Sequence, residues 1–73
     1  MLRVANIEDE ASLESVRDAL DALDLVYEHI RSEPDEDTFP QTAYFYVPDG
    51  AADDVDAAIQ RLSEQHGFDA EVL

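Results

Sequence analysis

The sequence predicts an α+β domain of the ferredoxin-like plait type: βαββαβ, a four-stranded antiparallel sheet with two helices on one face. Three observations predict it. Leu13, Val16, Leu20 and Leu23 form one apolar stripe at helical period, and Ala52, Val55, Ile59 and Leu62 repeat the same spacing further along. Short runs rich in β-branched and aromatic residues flank both stripes, so strand and helix signals alternate as two βαβ halves in tandem. Connections between them are short, and right-handed crossovers place both helices on the same side of the sheet.

Element by element, Leu2–Ile7 (LRVANI) reads as the first strand. The first helix follows, with Asp9 or Ser12 able to cap its start and Glu8, Asp9 and Glu10 suited to the positive end of its dipole. Leu25–Arg31 (LVYEHIR) reads as the second strand, and the proline- and acid-rich stretch 32–41 (SEPDEDTFPQ) as a loop. Thr42–Val47 (TAYFYV) is the third strand, and Pro48-Asp49-Gly50 a turn. Asp53, Asp54 and Asp56 crowd the start of the second helix, and Gly67 suits the position just past its end. Phe68–Leu73 alternates once more, with Phe68, Ala70 and Val72 on one side. Residues 1–73 are expected to form a single domain, near the lower size at which one core folds unaided.

TAYFYV is apolar on both sides. Two helices cover only one face of a plait, so Ala43, Phe45 and Val47 are expected beneath them and Tyr44 and Tyr46 on the open face. In the register read here the second strand adds Tyr27, His29 and Arg31 to that face; a shifted register would exchange them for Val26 and Ile30. Exposed aromatic patches mark contact sites, and tyrosine gives a large contact area at low entropic cost. The five residues Tyr44, Tyr46, Tyr27, His29 and Arg31 are therefore the candidate interface, for a protein partner or for self-association.

Charge narrows the function classes. Nineteen acids oppose four bases, giving a net charge of −15, and every base is an arginine (Arg3, Arg17, Arg31, Arg61). Such a balance opposes binding to a phosphate backbone, which needs basic patches. It fits a protein of salt-accumulating halophiles, where the Debye length falls to about 3 Å in molar salt and carboxylates are screened from one another. Cysteine is absent, which removes disulfides and thiolate metal sites. No apolar run approaches the roughly 20 residues of a membrane span, and Met1-Leu2-Arg3-Val4 does not open a signal peptide, so a soluble, cytoplasmic chain is expected. No nucleophile–base set, glycine-rich phosphate loop or cofactor motif converges, so a non-enzymatic module without a cofactor is expected. The Asp35-Glu36-Asp37 run lacks the alternation and closing Glu of a calcium loop and reads as a solvated loop.

Three resemblances bear on these readings. The third strand resembles that of RNA-recognition domains through Ala43, Tyr44, Tyr46 and Val47, but Phe45 replaces a small residue and no basic residue precedes the run. Over about 65 residues the chain also resembles heavy-metal-associated domains of copper chaperones and metal-pumping ATPases. Ile7 stands where their Met lies, Val16 where an apolar helix residue follows, and Ile59 with His66-Gly67-Phe68-Asp69-Ala70-Glu71-Val72 looks like their closing helix, turn and last strand. Their two cysteines fall at Asp9 and Ser12, so soft Cu(I) coordination is lost. What survives of that resemblance is an alternative function, a metal- or small-ligand-binding plait with oxygen and imidazole ligands at Asp9, Ser12 and His66. Structurally, His66 suits a helix C-terminus and Asp9 a cap. Finally, Val16-Arg17-Asp18-Ala19-Leu20-Asp21 and Phe39…Phe45-Tyr46-Val47-Pro48, with Val55 and Leu62, are similar to the N-terminal soluble domain of a family of uncharacterised haloarchaeal membrane proteins. That similarity implies either a fragment, a domain preceding membrane spans, or a free-standing relative of such a domain; an ending on strand residue Leu73 suits the fragment.

Overall fold

The computed structural model describes residues 1–73 and orders them as β1 (Leu2–Ile7), α1 (Glu10–Ala22), β2 (Glu28–Glu33), β3 (Gln41–Tyr46), a single 3₁₀ turn (Asp49–Ala51), α2 (Ala52–His66) and β4 (Asp69–Val72). All strand pairs are antiparallel, and the sheet order is β2-β3-β1-β4. This is the ferredoxin-like plait. Its Cα radius of gyration, 10.9 Å, matches the roughly 11 Å of a packed chain of this length and not an expanded, charge-swollen one.

Local chemistry accounts for the helix limits. Asp9, extended at φ −152°, accepts the Ser12 amide at 2.8 Å on its side chain and starts α1. That hydrogen bond holds the Asp9 carboxyl below its ordinary pKa. The helix stops at Leu23, and Asp24 follows in the left-handed region at φ 54°, a conformation Asp tolerates better than most residues. At the start of α2 no side chain caps the backbone, and Asp53 and Asp54 complement the dipole instead. Gly67 closes the helix at φ 79°, its amide donating to the Ser63 carbonyl at 2.8 Å.

Both helices lie on one side of the sheet. Leu13, Val16 and Leu20 of α1 and Val55 and Ile59 of α2 join Leu2, Val4, Ile7, Ala43, Phe45, Val47 and Phe68 in a single core. The expected alternation of β3 holds: Ala43 and Phe45 are buried, and Tyr46, between Phe45 and Val47, is 50% exposed. The expected bounds of β2 do not hold. Leu25, Val26 and Tyr27 precede the strand, and Ser32 and Glu33, expected in the loop, belong to it. Phe68 and Leu73 flank β4 rather than joining it.

Two bulges interrupt the ladders. In β1 the register slips between Val4 and Ile7, where Asn6 takes φ 63°. In β2 it slips between His29, opposite Phe45, and Arg31, opposite Tyr44, which leaves Ile30 as the extra residue. An extra residue reverses the inside–outside parity of everything beyond it. Between β2 and β3, the loop is gathered by buried Gln41, whose Nε2 donates to the carbonyls of Asp35 (3.4 Å), Glu36 (3.1 Å) and Thr38 (3.1 Å).

Candidate functional site: the open face of the sheet

The face away from the helices is built by strand parity. Leu2, Val4, Ala43 and Phe45 point into the core, so Arg3, Tyr44, Tyr46 and Glu71 point out. Arg31 joins them because the β2 bulge sets it opposite Tyr44, and its guanidinium carbon lies 4.8 Å from the centre of the Tyr44 ring. That is a cation–π distance, and it fixes an otherwise mobile side chain over an aromatic surface. Arg31 also reaches Glu33 at 3.3 Å, and Arg3 pairs with Glu71 across β1 and β4 at 2.6 Å.

Of the five expected interface residues, the structure brings Tyr44, Tyr46 and Arg31 together on this face and places the other two elsewhere. His29 lies on the helix side, stacked on Phe45 with ring centres 4.7 Å apart. It is bridged to Arg17 of α1 at 2.7 Å and to Ser32 at 2.9 Å. Tyr27 also turns inward, 6.3 Å from the Phe45 ring centre. Its burial, and then the neighbouring Asp21 carboxylate, raise its phenol pKa. The shifted register is realised in part: Tyr27 and His29 turn inward while Val26 and Ile30 are 80% and 45% exposed, but Arg31 stays outside. The bulge reconciles these placements: residues before it follow one parity and residues after it the other.

Met1 and Leu73, not anticipated, and Ile30, expected only in the shifted register, complete the face. Met1, Ile30 and Leu73 are 43%, 45% and 63% exposed, and with Tyr46 they give the end of the sheet near Met1 an apolar character. Arg3 and Glu71 were legible from their alternation with Leu2, Val4, Ala70 and Val72; the outward Ile30 was legible only as the alternative register, and what was not legible is the bulge that lets it and Arg31 both stay outside. Counted over its strands, the face carries two of the four arginines (Arg3, Arg31) but only four of the nineteen acids (Glu28, Glu33, Asp69, Glu71). Two arginines against four acids leave its strands at −2 of the chain's −15.

Its relief is shallow. A depression of about 240 Å³ lies among Arg3, Ala5, Asp69, Ala70 and Glu71, and another of about 200 Å³ among Asn6, Glu33, Pro40, Gln41 and Thr42. Both fall short of the roughly 300–1,000 Å³ of small-molecule pockets. The shape suits a flat contact.

Of the alternative ligand set, Ser12 and His66 approach each other, although no group of three or more His, Cys, Asp or Glu side chains is placed to hold a metal ion. Ser12 Oγ lies 3.5 Å from His66 Nδ1, and Asp9 holds the Ser12 amide, so the start of α1 meets the end of α2. His66 stacks on Phe68, with ring centres 6.0 Å apart. In the acidic loop both Asp35 carboxylate oxygens are engaged, one by the Asp37 amide at 2.9 Å and the other by the Thr38 hydroxyl at 3.0 Å. These bonds lower the Asp35 pKa, the Thr38 hydroxyl most. No helix is long and apolar enough to cross a membrane.

Fold and face together define a class: a ferredoxin-like plait that presents an uncovered sheet bearing tyrosines and arginines. No family model, no curated protein and no solved structure matches the chain.

Proposed function

We propose that this chain is a non-enzymatic interaction or regulatory module that associates with a protein surface through the open face of its sheet. The observation that carries this reading is the contrast across one peptide bond of β3: Phe45 is fully buried, while Tyr46 is 50% exposed on a face no helix covers. Folding accounts for Phe45. It does not account for a neighbouring tyrosine beside Tyr44, with Arg31 laid over that ring. The net charge of −15 supports a cytoplasmic home in a salt-accumulating organism, and the weak similarity to haloarchaeal membrane proteins supports a role next to membrane spans carried elsewhere in such a protein.

A second reading, a metal- or small-ligand-binding plait, is supported by the approach of Ser12 to His66, with Asp9 on the Ser12 amide. One experiment separates the two. Amide shifts that spread over Arg31, Tyr44 and Tyr46 as the protein is concentrated support association. Submillimolar shifts confined to residues 7–13 and the surroundings of His66 on adding Zn²⁺ support the second reading and count against the first.

A further inference from the structure

One row of side chains crosses all four strands of the open face. Arg31 pairs with Tyr44, Tyr44 with Arg3, and Arg3 with Glu71, so in the order β2-β3-β1-β4 the row is Arg31, Tyr44, Arg3, Glu71. By chemistry it runs cation, aromatic, cation, anion. Reversed, it runs anion, cation, aromatic, cation, and every position then meets its complement. We infer that the occupant of the open face is a second copy of this chain, laid face to face about a two-fold axis that runs parallel to the strands between β1 and β3. The inference rests on the reading that this face is an interface, and it names the partner and the geometry.

Rotation about that axis turns the second sheet over and exchanges its edges. Arg31 then lies over Glu71 of the second copy, and Tyr44 over Arg3 of the second copy. Both contacts occur twice, as in any isologous interface. The row supplies two ion pairs and two cation–π contacts from residues already held by Tyr44 and Glu71 within their own sheet. A two-fold axis perpendicular to the strands and passing through this row sets Arg31 over Arg31 and Arg3 over Arg3, and like charges reject it. One displaced towards the Tyr46 row sets Arg31 over Glu28 and leaves Glu71 without a charged partner, so the Glu71 reversal below distinguishes it.

The neighbouring rows respond to the same axis. Two residues beyond Tyr44, Tyr46 pairs with Glu28, and continuing the β1–β3 register one residue past the Leu2–Phe45 pair brings Met1 to its other side, where the Leu73 amide donates to the Met1 carbonyl. The two-fold axis sets Tyr46 over Met1 of the second copy, a favourable aromatic–thioether contact between two residues that are 50% and 43% exposed. Two mismatches accompany it: Glu28 lies over apolar Leu73 of the second copy, and in the opposite direction Glu33 approaches Asp69 of the second copy, Glu33 being already paired with Arg31 at 3.3 Å. Four strands spaced about 4.8 Å apart and six residues rising about 3.3 Å each make a face of roughly 19 by 20 Å. Its area belongs with small, reversible interfaces, so the dimer is a weak one.

Charge reversal tests the arrangement. Arg31→Glu, Glu71→Arg and an equimolar mixture of the two are compared with the unaltered chain by sedimentation, in the lowest KCl at which circular dichroism shows each of them folded. Each variant alone sets like charges face to face at both ends of the row and should lose self-association about tenfold or more. In the mixture, the introduced carboxylate of one chain faces the introduced guanidinium of the other, and a heterodimer should return. A second readout needs no variant: isotope-filtered NMR of mixed labelled and unlabelled chains should show intermolecular contacts from the Tyr44 ring to the Arg3 side chain. Association that is indifferent to both reversals, with no recovery in the mixture, overturns this geometry and leaves the interface reading standing. An unaltered chain that stays monomeric at millimolar concentration overturns the second copy as occupant and leaves only a different protein partner for this face.

Discussion

Nη2 of Arg17 lies 2.7 Å from Nδ1 of His29, joining α1 to the edge strand β2. A guanidinium only donates, so Nδ1 accepts, the ring proton is on Nε2, and that nitrogen donates to Ser32 Oγ at 2.9 Å. The bridge therefore needs a neutral imidazole. Burial first, and then the Arg17 cation, lower the His29 pKa. With the folded value below the unfolded one of about 6.5, the unfolded chain takes up the proton first, so stability is full above that pH and declines as pH falls through it. The melting temperature at constant molar KCl should be lower at pH 5.5 than at pH 7.5, and His29→Gln should flatten the difference. An identical pH dependence in His29→Gln contradicts this role.

Adjacent residues of β3 should differ sharply when truncated. Phe45 is fully buried and stacked by His29, and Phe45→Ala should remove about 3–5 kcal/mol. A domain of this size holds only about that much, so the variant should be largely unfolded at 25 °C. Tyr46→Ser, on the open face, should lose no more than about 1 kcal/mol. Denaturant unfolding measures both, and equal losses would show that the two faces are wrongly assigned.

Gln41 is the pin of the acidic loop. Its amide nitrogen serves three backbone carbonyls, and its buried Oε1 has no partner. Gln41→Ala leaves those carbonyls without their donor and should cost about 1–3 kcal/mol. Gln41→Glu should cost more, because it sets a carboxylate against the same three oxygens. Faster amide exchange at residues 35–41 in the alanine variant would locate the damage in the loop; exchange unchanged there would contradict the pinning role.

Salt dependence follows from the net charge of −15 and from the scarcity of internal neutralisation, which amounts to three surface ion pairs. Circular dichroism should report a weakened fold on dialysis from multimolar KCl into dilute buffer. Identical spectra and melting temperatures in the two would remove the halophilic argument.

Much of the fold was legible in the residues, because helices and a half-covered sheet impose periods that Leu13, Val16, Leu20 and Phe45 obey. The inward Ala43 and Phe45 and outward Tyr44 and Tyr46 followed from parity alone. Parity failed in β2, where Ile30 is an extra residue and its insertion sends His29 inward while Arg31 stays out. Nothing in LVYEHIR announces that bulge, since its cause is pairing with β3, a strand eight residues further on. The β1 bulge had a local cue, an asparagine able to take φ 63°, but Asn6 reads equally well as an ordinary strand end. The row of Arg31, Tyr44, Arg3 and Glu71 required all three strand registers together, and no single segment contains it.

The central claim is that Tyr44 and Tyr46 serve contact, with a second copy of the chain, rather than folding. Sedimentation equilibrium in multimolar KCl, over concentrations up to the millimolar range, tests it most directly on the unaltered chain and on Tyr44→Ser/Tyr46→Ser. The account predicts an average mass that rises above the 8.2 kDa monomer with concentration in the first and stays monomeric in the second, with both chains folded. The same concentration-independent monomeric mass for both would contradict it.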